Sequence, residues 1–307
     1  MLDSEGHEVL GLDVLESPYT GMVGSIVDRA CVRRCVEGVD AIVHAATLHK
    51  PHVGTHTWQR FVDTNITGTL NLLEEALAAD VNRFVFTSTT SAFGRALTPP
   101  DGAPAAWITE DVAPVPRNIY GSTKTAAEDL CEVIHRDRGM PCLILRTSRF
   151  FPEADDRDEL RAAYEDGNLK VNELLYRRVD LEDVVSAHRL ALERAPAVGF
   201  GRYIISATTP FTRDDLAALR TNAPAVVRRL FPDYEAVYAE RGWKLLPGID
   251  RVYVNDRARN ELGWRPRYDF RHALDRLQAG EDPRSPLALA VGAKGYHAVS
   301  TGPYTVR

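Results

Sequence analysis

The sequence predicts an α/β fold, a doubly wound parallel sheet with helices on both faces, followed by a smaller carboxyl-terminal α+β lobe. Three observations predict it. Short β-branched or aromatic runs alternate with longer segments of helical period through residues 1–149. One run, Phe84–Phe86, leads into five consecutive hydroxyl residues, Thr87 to Ser91, at the carboxyl end of a strand, where such sheets bind ligands. Tyr120 and Lys124 lie one helical turn apart on the next helical segment and share a face.

In order, Glu8–Asp13 reads as a strand, Asp28–Glu37 as a short helix and Asp40–Ala46 as a strand. Thr57–Ala79 is a long helix by period and Arg83–Ser88 a buried strand. Leu97–Arg117 holds five prolines and no apolar period, so it reads as a loop. Asn118–Arg138 carries the Tyr–Lys pair, and Cys142–Arg146 is the following strand. This βαβ rhythm, with right-handed crossovers, requires a doubly wound sheet. After Arg149 the rhythm loosens. Leu181–Glu193 reads as a helix and Arg202–Ser206 as a strand. Thr212 caps a helix opening with Asp214 and Asp215, which suit the helix dipole. Val252–Val254 and helices from Asp256 and Phe270 complete the lobe, and the Gly- and Pro-rich tail from Gly280 reads as irregular. The expected division is a dinucleotide-binding domain over 1–149, a mainly substrate-binding lobe over 150–279 with some segments returning to the main sheet, and a tail over 280–307.

A net charge of −6 gives no general attraction to nucleic acid or anionic membrane. No apolar run approaches a membrane span, and no charged-then-apolar leader opens the chain. Cys31, Cys35, Cys131 and Cys142 form no CxxC pattern, so reduced thiols and a cytoplasmic location are expected. His44, His49, His52 and His56 have no interleaved carboxylate or thiol, so no metal is expected there.

The Tyr120–Lys124 spacing carries the chemistry. An ammonium near a phenol favours the phenolate, and a tyrosine so tuned can exchange a proton with a substrate hydroxyl. That is the proton step of interconverting an alcohol and a ketone while a nicotinamide carries the hydride. Thr89, at the strand end, is placed to hydrogen-bond the reacting oxygen.

With Val39–Ala46, Asn65–Glu74, Thr87–Thr89, Tyr120, Lys124, Arg178–Val184 and Glu261–Pro266 in that order, the chain resembles the extended short-chain dehydrogenase/reductases of the NAD-dependent epimerase/dehydratase group. The resemblance runs from residue 5 to about 278. It implies a Rossmann-like sheet and places Tyr120 as general acid/base. Lys124 would tune Tyr120 and hold the nicotinamide ribose, with Thr89 orienting the substrate and Thr87 beside it. Ala45 and Ala46 would flank the adenosine. Asp13, ending a strand, can accept both ribose hydroxyls and repel a 2′-phosphate, which favours NAD over NADP. Ser25 and Ile26 fall near the adenine, with Ser25 in place of the group's usual Asp. Asn65 would order the nicotinamide side or simply cap its helix.

The group's 4,6-dehydratases carry an acidic pair directly after the threonine; Thr90 and Ser91 stand here, which disfavours dehydration. Arg149 replaces a usual substrate-contacting Asn, and 29 residues separate it from Val179, a short stretch for enclosing a nucleotide. Thr90, Arg149, Asn172 and Arg178 are candidate substrate ligands, and the arginines suit a phosphate clamp or a face paired with nearby acids. Three functions stay open: a sugar-nucleotide epimerase, a dehydrogenase/reductase for a smaller hydroxyl or keto substrate, and a non-catalytic sensor on the same fold. The resemblance also implies a homodimer. One part of the pattern is missing. The chain opens where the group's first helix would end, without the first strand and its Gly-rich turn. A natural start roughly 15–20 residues upstream is therefore expected, enough for a strand, a turn and most of a helix.

Overall fold

The computed structural model describes residues 2–293. The chain runs through β1 (Leu12–Asp13), β2 (Met22–Val23), α1 (Arg29–Cys35), β3 (Ile42–His44) and α2 (Trp58–Phe61), then a π-helical segment, Val62–Thr67, and α3 (Gly68–Ala78). Next come β4 (Phe84–Thr89), β5 (Ala106–Ile108), α4 (Ile119–Arg138), β6 (Cys142–Thr147), α5 (Asp158–Ala163), α6 (Asp166–Leu174) and α7 (Leu181–Val198). The chain continues with β7 (Phe200–Ile205), α8 (Leu216–Leu230), α9 (Tyr234–Ala239), β8 (Arg251–Tyr253), α10 (Asp256–Glu261), α11 (Phe270–Gln278) and α12 (Pro286–Val291). Two compact units result: residues 1–92, 116–146 and 187–203, and residues 93–115, 147–186 and 204–307.

The first unit is built on a four-stranded sheet ordered β3-β4-β6-β7, with β3 and β4 parallel in the register Ile42↔Phe84 to His44↔Phe86. Every residue of β6 is buried, and Phe84, Val85 and Phe86 of β4 are at most 1% exposed, as expected for strands covered on both faces. Val32 and Val36 from the α1 side, Leu72, Leu73 and Ala76 of α3, and Ala127 and Cys131 of α4 pack with Phe84, Phe86 and Ile144 into one core. Asp28 caps α1 by accepting from the N–H groups of Ala30 and Cys31.

β1 and β2 form a separate parallel pair. The strand expected over Glu8–Asp13 shrinks to two residues, and Val9, Leu10, Val14 and Leu15 beside it are exposed. A strand persists as far as a neighbouring ladder supports it, and β1 has its ladder with β2 over Leu12 and Asp13. The helix expected over Thr57–Ala79 is interrupted by the π-helical turns at Val62–Thr67.

In the second unit, β5 and β8 pair in parallel from Ala106↔Arg251 to Ile108↔Tyr253. β5 lies within the proline-rich stretch expected to be loop; Ala-Trp-Ile is a three-residue ladder with no periodicity to announce it. The core gathers Leu169 and Val171 of α6, Leu219 and Val227 of α8, Tyr238 of α9 and Phe270 and Leu274 of α11. Thr212 caps its helix as expected, and Asp215 reaches back to complete a capping box. The tail expected to be irregular from Gly280 instead carries α12, whose cap Ser285 is fully buried and donates its N–H to Asp180 at 3.1 Å. Residues 294–307 lie outside the described residues.

Candidate active site

α4 opens on Asn118, whose Oδ1 accepts the Gly121 N–H at 3.1 Å. A Cβ on Gly121 would stand 3.0 Å from the Ser91 carbonyl oxygen, so glycine there lets the helix approach the end of β4. Tyr120 and Lys124, 5% and 1% exposed, project from this first stretch of the helix. β4 meets both. The Thr89 hydroxyl hydrogen-bonds the Tyr120 oxygen. The Thr87 carbonyl accepts Lys124 Nζ at 2.7 Å, and the Phe86 ring centroid lies 3.8 Å from the ammonium. The structure thus brings Thr87, Thr89, Tyr120 and Lys124 together within one unit.

The electrostatics differ from expectation in one respect. Burial pushes the Tyr120 phenol up to about 12, with the Thr89 hydroxyl pulling it back. Lys124 does not offset that rise; its ammonium is taken up by Thr87 and Phe86 rather than by the phenol. Burial brings Lys124 down to about 7, opposed by the charge of Glu128.

His188 and Glu128 of this region do not stand out in the sequence, whereas His44 and His49 belong to the histidine series after Val43. His188 Nε2 hydrogen-bonds the Thr87 hydroxyl at 2.8 Å. The His49 ring lies 6.1 Å from that of Tyr120, centroid to centroid. Burial, then the Lys124 charge, bring His44 to about 3; the same two effects with His52 bring His49 to about 3. Both imidazoles are therefore neutral at physiological pH. Glu128 is fully buried and accepts from Ser88, Arg146 and Arg202. The i, i+4, i+8 stripe of Tyr120, Lys124 and Glu128 is the sequence signal that finds it; for His188, 101 residues from Thr87, local pattern offers none.

Asn65 lies in the π-helical segment, 1% exposed. Its Oδ1 accepts the Leu48 N–H at 2.7 Å, and its Nδ2 donates to the Leu48 carbonyl and to Thr123 Oγ1, both at 3.0 Å. It ties the chain after β3 to α4. Asp13 stands exposed at the end of β1, its Oδ1 accepting from the Leu15 N–H at 2.9 Å. Ala45 and Ala46 follow β3 and are exposed. Ser25 accepts from the Val27 N–H, and the Ile26 side chain belongs to the core. Thr90 is 7% exposed. An exposed carboxylate at the tip of β1 and two small exposed residues at the tip of β3 fit the adenosine half of a dinucleotide, and Thr87, Tyr120 and Lys124 fit its nicotinamide half. A Gly-rich strand-to-helix turn for the pyrophosphate is not found in this sequence.

The other candidate ligands belong to the second unit. Glu173, 1% exposed, pairs with Arg149 at 2.9 Å, Arg177 at 2.6 Å and Arg178 at 2.8 Å. Asp155 pairs with Arg149 and, at 3.4 Å, with Arg177. Burial alone would push the Glu173 carboxyl up; the three guanidiniums outweigh it and hold the group well below the usual range. Asn172 is fully buried, its Nδ2 donating to the Lys244 carbonyl at 3.0 Å and its Oδ1 accepting from the Tyr238 hydroxyl at 2.8 Å.

A doubly wound α/β unit with a tyrosine, a lysine and a threonine at the end of a central strand defines the class of extended short-chain dehydrogenase/reductases. The family described as "NAD dependent epimerase/dehydratase family" matches residues 1–205, and the chain belongs to it. It is accordingly an NAD-dependent enzyme of that class. Over its length it is similar to the low-salt glycan biosynthesis protein Agl12 of Haloferax volcanii, 29% identical across 90% of each chain. It is 29% identical to a dTDP-glucose 4,6-dehydratase of Streptomyces antibioticus, over 87% of this chain and 78% of that one. It is 26% identical to a UDP-glucose 4-epimerase of Rhizobium meliloti, over 75% and 73%. In fold it matches a short-chain dehydrogenase/reductase superfamily protein of Agrobacterium tumefaciens solved with bound NAD, at TM-score 0.63 and 24% identity over 94% of each chain. It also matches the UDP-glucose 4-epimerase of Thermotoga maritima solved with UDP-glucose, at TM-score 0.60 and 21% identity over 89% and 90%.

Proposed function

We propose that the protein interconverts hydroxyl and keto forms of a sugar nucleotide, as an epimerase, with Tyr120 as the acid/base. The observation that supports this best is the meeting of the Tyr120 phenol with Thr89, one helical turn from a buried Lys124 cation that no ion pair claims among the described residues. Thr89 orients the reacting oxygen, and Tyr120 takes or returns its proton. With its phenol at about 12, Tyr120 is set as the acid in this arrangement; a further positive charge beside it is required before it serves as base. NAD, when bound, supplies the hydride acceptor and that positive charge. Lys124 and Asp13 hold the two riboses, Ala45 and Ala46 flank the adenosine, and Asn65 holds the loop that borders the phenol. In the second unit Arg149, Arg177 and Arg178 face Glu173, and Asp155 pairs with Arg149, Arg177 and Arg157, so guanidiniums outnumber carboxylates and leave positive charge for a substrate phosphate. Arg149 and Arg178 are the proposed ligands. Asn172, with both ends of its amide engaged, contributes by supporting α6.

The test is incubation with NAD and a panel of UDP- and dTDP-sugars, free sugars and small secondary alcohols. An epimerase forms the epimer with no lasting change in nicotinamide absorbance, because the hydride returns to the sugar. A lasting rise in NADH with a free sugar or small alcohol, and none with the sugar nucleotides, supports the second reading, a dehydrogenase for a smaller substrate, which the substitution of Arg149 for a neutral amide favours. No turnover of either kind by a chain that binds NAD contradicts both. We further infer a homodimer through the Trp58–Ala78 run and α4, on which Trp58 and Val133 are exposed, and a cytoplasmic setting suited to four buried, unpaired thiols. Light scattering of a Val133→Glu variant checks the dimer; an unchanged dimer mass removes this interface.

A further inference from the structure

Glu128 is fully buried, yet the proposed chemistry makes no use of it. Its carboxylate is fully engaged. Oε1 accepts from Ser88 Oγ at 2.5 Å and from Arg146 Nε at 3.1 Å; Oε2 accepts from Arg146 Nη2 at 2.7 Å and Arg202 Nε at 3.3 Å. A purely structural ion pair would need only Arg146, which grips it with two nitrogens. The serine bond points further. Ser88 is the residue between Thr87, whose carbonyl holds Lys124, and Thr89, whose hydroxyl faces Tyr120. On α4, Glu128 stands one turn beyond Lys124, as Lys124 stands one turn beyond Tyr120.

We propose that Glu128 is a positioning residue for the Tyr120–Lys124 pair, pinning the strand segment Thr87–Thr89 through Ser88 and keeping Lys124 cationic through its own negative charge. The inference rests on the reading of Tyr120 and Lys124 given above. Around Lys124 stand the Thr87 carbonyl and Phe86 ring from β4, His44 from β3, His49 from the loop after β3, and Tyr120, Glu128 and Cys131 from α4 itself. His44 and His49 are neutral, and a thiol is uncharged near neutral pH, so Glu128 is the group among these that holds the proton on Lys124. Arg146 from β6 and Arg202 from β7 draw on the same carboxylate, and Arg202 is itself shared with Asp129 and Glu132.

The chain has five lysines, at 50, 124, 170, 244 and 294, few enough to follow by NMR after isotopic labelling of the lysine side-chain carbons, with Lys124→Arg to assign the signal. In the unaltered protein Lys124 titrates near 7. Glu128→Gln lowers that midpoint by about one unit, a tenfold loss of the charged form above it. Arg202→Gln, at the partly exposed rim of the cluster, leaves the Arg146 pair intact and raises the midpoint, because the carboxylate charge is then less neutralised. Opposite shifts in the two variants support the proposal. A general loosening of the structure would admit water and raise both midpoints, and a rise or no change in Glu128→Gln overturns the idea. Should Glu128→Gln fail to fold, Arg202→Gln decides: a higher midpoint with the circular-dichroism melt unchanged supports the proposal, and any other result overturns it. These midpoints are read without turnover, so they stand apart from Tyr120→Phe, which tests the catalytic reading itself.

Discussion

Two buried charges, one in each unit, are treated in opposite ways. Glu173 is surrounded by three guanidiniums, two of them also tied to Asp155. Lys124, equally buried, has a carbonyl and an aromatic face for company, while the nearby carboxylate of Glu128 is given to arginines. A charge taken out of water must be compensated or it costs stability. The compensated carboxylate of Glu173 therefore holds its unit together, whereas the under-matched lysine weakens the fold locally and remains available to a ligand. Perturbed groups of the second kind gather where chemistry is done.

The comparison can be broken in four ways. The largest effect expected is for Tyr120→Phe, which should lower kcat by about 10²–10⁴-fold with the circular-dichroism melt unchanged; retained activity would place the chemistry elsewhere. Glu173→Gln should destabilise by about 3–5 kcal/mol in urea at neutral pH, since it leaves Arg178 without a carboxylate and Arg149 and Arg177 to share Asp155. The carboxyl is held below its unfolded value of 4.5, so its stabilisation is present above that pH and fades as the pH falls below it. The gap between variant and parent should close in acid, and a gap independent of pH would count against the charge cluster.

Lys124→Met should act in the other direction, gaining about 1–3 kcal/mol at pH 6 while abolishing turnover. Between about 7 and 10.5 the unfolded chain binds the proton that the folded chain has released, so the parent gains stability as pH rises through this window. The advantage of the variant should fade over the same range, and a loss of stability at pH 6 would show the lysine to be well compensated. The smallest effect expected is for Arg149→Ala, about a tenfold rise in KM for the sugar nucleotide with kcat little changed. An unaltered KM would assign the arginine cluster to structure alone.

What was legible in the sequence follows the range of the interactions. Tyr120 and Lys124 share a helix face, and Thr89 ends a strand of unmistakable composition, so local spacing was enough. The helices expected from Asp28 and Asn118 start where the structure places those two residues as caps. Partners far along the chain were not legible. The bond between Thr87 and His188 spans 101 residues, and that between Asn172 and the Lys244 carbonyl spans 72. Asn172 reads as a polar ligand in isolation and proves to be an internal brace. The chemical sense of the Tyr–Lys pair was half legible: spacing showed that the groups share a face, but the competing claims of Thr87 and Phe86 on the ammonium arise from β4. β1 shows the same limit for secondary structure, since its length depends on a neighbouring strand rather than on its own residues.

The widened turns at Val62–Thr67 leave their mark on everything downstream in that helical run. Each residue of an α-helix advances the chain by about 100°, so removing one residue from this stretch would tighten it into ordinary helix and swing the whole of α3 by that angle. Leu72, Leu73 and Ala76 would turn away from Phe84 and Phe86, and Asn65 would lose its grip on Leu48. A single-codon deletion here should therefore be far more damaging than any one substitution in the same six positions.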